Sequence, residues 1–158
     1  MKALTTYINE KLVLNKDTFK DNYKYFPKTR EELKKILKQL LYDRKDQDII
    51  DLNDIDTSKI TNMSNLFEYN MNIQNIDISS WYMSNVTNMT CMFWQCKNLE
   101  SVGNLSGWNT QSTTEMASMF GVCLNLKSIG DLSSWDVSKV TNINGMFYIC
   151  ENLKSIGD

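Results

Sequence analysis

Trp81, Trp108 and Trp135 recur every 27 residues, and so do Phe93, Phe120 and Phe147, and Cys96, Cys123 and Cys150. A fixed period of this length marks stacked supersecondary units, none of which can bury its apolar face alone. Four copies are readable, opening at Leu52, Ile78, Leu105 and Leu132. The next column is Ile55, Trp81, Trp108, Trp135. Further columns hold Ile60, Val86, Thr113, Val140; Met63, Met89, Met116, Ile143; Leu66, Met92, Met119, Met146; and Phe67, Phe93, Phe120, Phe147. Asn70, Cys96, Cys123, Cys150 follow, then Ile73, Leu99, Leu126, Leu153, and finally Ile76, Val102, Ile129, Ile156.

Between the first two copies the period shortens by one residue. Copies two to four carry Gly103, Gly130 and Gly157 after the last apolar position, whereas Ile76 runs through Asp77 to Ile78 with no glycine. A glycine there allows a bend that a side chain would obstruct. Within a copy, residues 98–102, 125–129 and 152–156 are the best strand candidates. Met116–Cys123 and its siblings are apolar at positions 0, 3, 4 and 7, a helical spacing, so a helical turn is expected on the opposite side. The expected fold is an α+β repeat solenoid, leucine-rich-repeat-like, with short parallel strands on one side and short helical turns on the other.

An end coil exposes an apolar cross-section and needs a cap. Residues 29–43, just before the first copy, supply one. Thr29-Arg-Glu-Glu32 fits a capping box, and Leu33, Ile36, Leu37, Leu40 and Leu41 form one face opposite Lys34, Lys35, Lys38 and Gln39. The domain plan is a leader over 1–26, cap helix and connector over 27–51, and the four-coil repeat over 52–158. In the leader, Leu4, Ile8 and Leu12 suggest a short amphipathic helix that either frays or serves as a recognition tag.

Seventeen basic and nineteen acidic residues leave a net charge of −2, which gives no field to steer the chain to nucleic acid or an anionic membrane. There is no histidine, which removes the commonest general base and metal ligand and every Ser-His or Cys-His nucleophile. Of the four cysteines, three hold one column, so they read as small buried hydrophobes rather than disulfides or metal ligands. No cofactor is expected. The N-terminus lacks an apolar signal segment and a lipid-attachment cysteine, and no run is long enough to span a bilayer, so a cytoplasmic location is expected.

Trp135-Asp-Val-Ser-Lys-Val-Thr-Asn-Ile-Asn-Gly-Met-Phe-Tyr-Ile-Cys150, with Trp81–Cys96 close behind, resembles the BspA-like repeat family, a divergent relative of leucine-rich repeats in bacterial surface proteins. Residues 55–70 lack the tryptophan and the cysteine, and residues 108–123 depart at Gln111, Thr113 and Glu115. The resemblance covers about two-thirds of the chain. It implies a solenoid and a role in adhesion or protein binding, with no catalytic residues to carry over. The phrase at 7–18 also resembles leaders of proteins from large gut bacteriophages.

Binding residues belong where a column varies and is exposed. Trp94 and Tyr148, in the column Glu68, Trp94, Gly121, Tyr148, are the first candidates, and Tyr82 is another. Trp94 reads equally as a cover for the flank of coil two. Glu115 and Cys91 break their columns but have no base or orienting partner, so drift explains them better than catalysis. The column Glu100, Lys127, Lys154 reads as a solvated face. The sequons at Asn62, Asn85, Asn88 and Asn104 follow from the repeat. The expected function is a non-enzymatic module that binds a protein partner. The last copy ends with no cap in view. This allows a homo-oligomer through the C-terminal coil, or else a truncated or marginal product.

Overall fold

The computed structural model describes residues 22–157. The leader segment around Leu4, Ile8 and Leu12 lies outside the described residues. Helix α1, Arg30–Asp43, comes first, followed by strand β1, Ile50–Asp51, and strand β2, Ile76–Asp77. β1 and β2 pair in parallel, with Ile50 opposite Ile76. Beyond them the coils are joined by single parallel bridges along two lines. One runs Asn62, Asn88, Glu115, Asn142; the other runs Asn75, Ser101, Ser128. Each step is about one repeat, so successive copies lie on one another in register.

The inward columns form one continuous core. Phe67, Phe93, Phe120 and Phe147 stack ring on ring, with centroids 4.9, 5.2 and 5.8 Å apart and planes within 7°. Two further columns stitch neighbouring coils through side-chain donors. The indole Nε1 of Trp81, Trp108 and Trp135 donates to the carbonyls of Leu52, Ile78 and Leu105 in the preceding coil, at 2.9, 3.2 and 3.0 Å. The thiols of Cys96, Cys123 and Cys150 donate to Phe67, Phe93 and Phe120 in the same way, at 2.9, 3.1 and 3.0 Å. Both columns need a preceding coil to supply the acceptor. Coil one has none, and there the positions are Ile55 and Asn70. A buried indole N–H without a partner would cost roughly 1–3 kcal/mol, which isoleucine avoids.

The Met-x-x-Met-Phe-x-x-Cys segments, expected as helical turns from their spacing, are instead chains of consecutive β-turns. Backbone accounting gives the reason. In coil two the amides of Met89, Cys91, Phe93 and Gln95 all donate to coil three, at Glu115, Ala117, Met119 and Gly121. The alternate amides of Met92, Trp94 and Cys96 close turns three residues back. An α-helix would direct every N–H along its own axis and leave the next coil unbonded. Alternation of this kind requires left-handed residues. These are Asn65, Cys91, Ser118 and Gly145, with φ of 57°, 53°, 52° and 64°, and Tyr69, Gln95, Val122 and Ile149, with φ of 58°, 60°, 61° and 54°. The strand candidates are likewise thinner than their sequence suggested, since 98–102 and 125–129 pair through Ser101 and Ser128 alone.

The glycine after the last apolar position marks a change of register. Without it, Ile50 and Leu52 donate to Asn75 and Asp77, two residues apart on both chains. With it, Ile76 and Ile78 donate to the adjacent Ser101 and Val102, and Gly103 at φ 84° takes up the extra residue. A Cβ on Gly103 would stand 2.5 Å from Asp77 Oδ1, the oxygen that holds the amide of Ser79.

Helix α1 closes the N-terminal side. Thr29 Oγ1 accepts from the Glu32 amide at 3.2 Å, and Glu32 reaches back to the Lys28 amide at 2.7 Å, one residue earlier than a standard capping box. Leu33, Leu37 and Leu40 are buried in the common core. Arg30 donates from Nε and Nη2 to the carbonyl of Ser64. In later coils the equivalent carbonyls, Thr90, Ala117 and Asn144, each accept an amide from the coil before. Arg30 therefore fills the place of a missing coil.

Candidate interaction surface

Three exposed large apolar side chains lie at or beside the left-handed corners. Tyr69 is 56% exposed, Tyr148 58% and Ile149 40%. They belong to adjacent columns, Glu68, Trp94, Gly121, Tyr148 and Tyr69, Gln95, Val122, Ile149. Trp94 is half-buried and lies against the next coil, where a Cβ on Gly121 would collide with its six-membered ring. The variation between Trp94 and Gly121 is thus one packing solution: glycine in coil three makes room for the indole from coil two. Tyr69 and Ile149 escaped notice in the sequence because their column follows no apolar rule. The usable signal was one residue away, in the variable column of Trp94 and Tyr148.

The corner is rigid and in part strained. Val122 and Ile149 are β-branched at positive φ, where such residues are outliers. Their neighbours hold them there: the Val122 amide donates to the Tyr148 carbonyl at 2.6 Å, and the Tyr148 amide to Gly145 at 3.0 Å. A preorganised backbone that displays aromatic side chains loses little entropy on binding.

Tyr82 belongs to a separate column and is 45% exposed. Its siblings Asp56, Asn109 and Asp136 accept the amides of Ser58, Gln111 and Ser138 through Oδ1. In coil two, Tyr82 makes no such turn. Its amide donates to Thr57 Oγ1 at 2.8 Å.

The irregular residues have structural occupations. Glu115 bridges Asn88 and Asn142 in the ladder and accepts from Thr141 Oγ1 at 3.0 Å. Glu100 pairs with Lys127 and accepts from Gln74 at 2.8 Å. All four cysteines are free thiols. Burial pushes Cys96 up to about 12 and raises Cys123 further, the neighbouring thiols adding to it. Burial also raises Cys150, and with the Glu68 charge it raises Cys91. A thiol at 12 is ionised on the order of one part in 10⁵ at pH 7. In native protein, alkylation is expected to be slow at Cys91 and Cys150 and absent at Cys96 and Cys123, to quicken with rising pH, and to reach all four in denaturant. Peptide mass mapping reads this directly, and native labelling of Cys96 would contradict the buried ladder. Among the described residues, no three metal-ligating side chains cluster, and no helix is long and apolar enough to cross a membrane.

Residues 35–157 match the family described as Mycoplasma protein of unknown function, DUF285. The chain belongs to this family. The DUF285 match takes in most of α1 and all four coils, so the aromatic corner lies wholly within it. No curated protein and no solved structure matches.

Proposed function

We propose that this DUF285 chain is a non-enzymatic protein-binding module: a leucine-rich-repeat-like solenoid, kin to BspA-like repeats, that recognises a protein partner with the aromatic corner of its coils. The observation that carries the reading is the display of Tyr69, half-buried Trp94, Tyr148 and Ile149 on adjacent columns of a rigid turn stack. Tyrosine and tryptophan concentrate binding energy at interfaces, and a preformed surface spends less of it on ordering. The thiols of Cys96, Cys123 and Cys150 are taken up in the inter-coil ladder, and Glu115 accepts from Thr141, so these irregular or reactive positions have structural roles. The cytoplasm is the compartment in which such free thiols persist.

Affinity capture from the host lysate tests this. Tagged protein is expected to retain one protein near stoichiometry. Tyr148→Ala together with Trp94→Ala is expected to weaken capture at least about thirtyfold, the effect of losing about 2 kcal/mol at a hot spot. Tyr148→Ala alone alters only an exposed side chain and controls for the packing of Trp94 on Gly121. Unchanged capture by a folded double variant would remove this face from the interaction.

Self-assembly is the second reading. Its support is that the amides of Ile143, Gly145, Phe147 and Ile149, whose counterparts donate to a following coil, have no acceptor among the described residues. The side chains of Ile143 and Ile149 in this row are exposed. Recovery of the bait alone, in multiple copies, would favour it.

A further inference from the structure

We propose that Asn144 deamidates spontaneously through the amide of Gly145, and that the isoaspartate so formed unhooks coil four from coil three. The sequence places Asn-Gly at this step only in coil four; the counterparts are Ser64-Asn65, Thr90-Cys91 and Ala117-Ser118. Glycine lacks the Cβ that hinders approach of its own nitrogen to the preceding side chain. The structure leaves the two reacting groups without hydrogen-bond partners among the described residues. Asn65, Cys91 and Ser118 each commit their amide to the following coil, at 3.0, 2.9 and 2.9 Å. The Gly145 amide has no acceptor among the described residues, and Asn144 and Gly145 are both exposed. The carboxamides of Asn62, Asn88 and Asn142 are held by the amides of Ser64, Thr90 and Asn144, and that of Asn85 by the Ser58 carbonyl. The Asn144 carboxamide is not so held.

The chemistry balances with water alone. The Gly145 nitrogen loses its proton and attacks Asn144 Cγ, ammonia leaves, and a succinimide closes. Water then opens the ring at Cγ to give aspartate, or at the main-chain carbonyl to give isoaspartate, in which the chain runs through Cβ and Cγ. The second product converts the main-chain carbonyl of residue 144 into a free carboxylate and lengthens the backbone by one methylene. That carbonyl is the acceptor for the Ser118 amide. The neighbouring rungs, Phe120 to Met146 and Val122 to Tyr148, depend on the same backbone spacing.

Purified full-length protein is incubated in mildly alkaline buffer beside the Gly145→Ser variant. That variant is compatible with the fold because Ser118 holds the same column at φ 52°. Peptide mapping is expected to find conversion at Asn144 ahead of Asn62, Asn85, Asn88 and Asn142. The rate should rise with pH and fall at least about tenfold in Gly145→Ser. Equal rates in the two proteins, or an intact Asn144 while other asparagines convert, overturn the site. Hydrogen exchange on the aged protein tests the consequence: the amides of Ser118, Phe120 and Val122 are expected to lose protection. Isoaspartate at 144 with those amides still protected overturns the unhooking.

Discussion

Replacing Phe93 with alanine is expected to destabilise the protein by about 3–5 kcal/mol. Phe93 is fully buried between two parallel rings, Phe67 at 4.9 Å and Phe120 at 5.2 Å. The change removes a large side chain from the middle of the stack, and neither neighbour can fill the gap because each is held by its own coil. In a stack where each unit touches only its neighbours, loss at an inner coil weakens two interfaces together. Phe147 has one ring neighbour, Phe120 at 5.8 Å, and is only partly buried, so Phe147→Ala is expected to cost less. Urea unfolding followed by tryptophan fluorescence measures both. Phe93→Leu, which keeps most of the volume, should recover much of the loss. A loss at Phe93 below about 1 kcal/mol would show that the column does not bear on stability.

The columns were legible in the sequence because a repeat imposes the same burial on the same position in every coil. Tryptophan, phenylalanine and cysteine could be aligned without knowing any backbone angle. The turn chemistry was not legible. Met, Met, Phe and Cys at 0, 3, 4 and 7 have the spacing of a helix face, yet it arises from a zigzag whose alternate amides point along the stack. Periodicity records which side chains go inward and does not record where the N–H groups go. The left-handed positions gave only weak signals: Asn65 and Gly145 are ordinary there, but Cys91, Val122 and Ile149 are not. Inter-coil hydrogen bonds override local preference. The candidate surface was half legible. Trp94, Tyr148 and Tyr82 stood out as aromatics in variable columns. The coupling of Trp94 to Gly121, and the corner shared with Tyr69 and Ile149, depend on turn geometry that a one-dimensional pattern does not contain.

The opposite end of the stack carries the second large effect. Arg44, which caps the last turn of α1, donates from Nη1 and Nη2 to the carboxylate of Asp54 at 3.0 and 2.7 Å, and also to the Asp51 carbonyl. The two side chains are only 17% and 16% exposed. Burial works against the charged carboxylate, but the guanidinium and the Lys24 charge outweigh it and hold Asp54 below the usual carboxyl range. Arg44→Met leaves that carboxylate with Lys24 alone, at 3.6 Å and largely in solvent. The expected cost is about 2–4 kcal/mol, between that of a charged hydrogen bond and that of a broken buried pair. Adding Asp54→Leu should restore most of it, because the penalty is chiefly the orphaned charge. The pH dependence has a definite sign. A carboxyl depressed in the folded state stabilises above its unfolded pKa of about 4, and this is lost as pH falls through the folded value. The gap between the parent protein and Arg44→Met should therefore be full near neutrality and shrink below about pH 4. Thermal unfolding across that range checks it. A gap that is constant with pH would assign the role of Arg44 to packing against coil one instead of its charge. The same loss should appear first in the amides nearest α1, since a cap that lets go exposes coil one before the stacked phenylalanines beyond it.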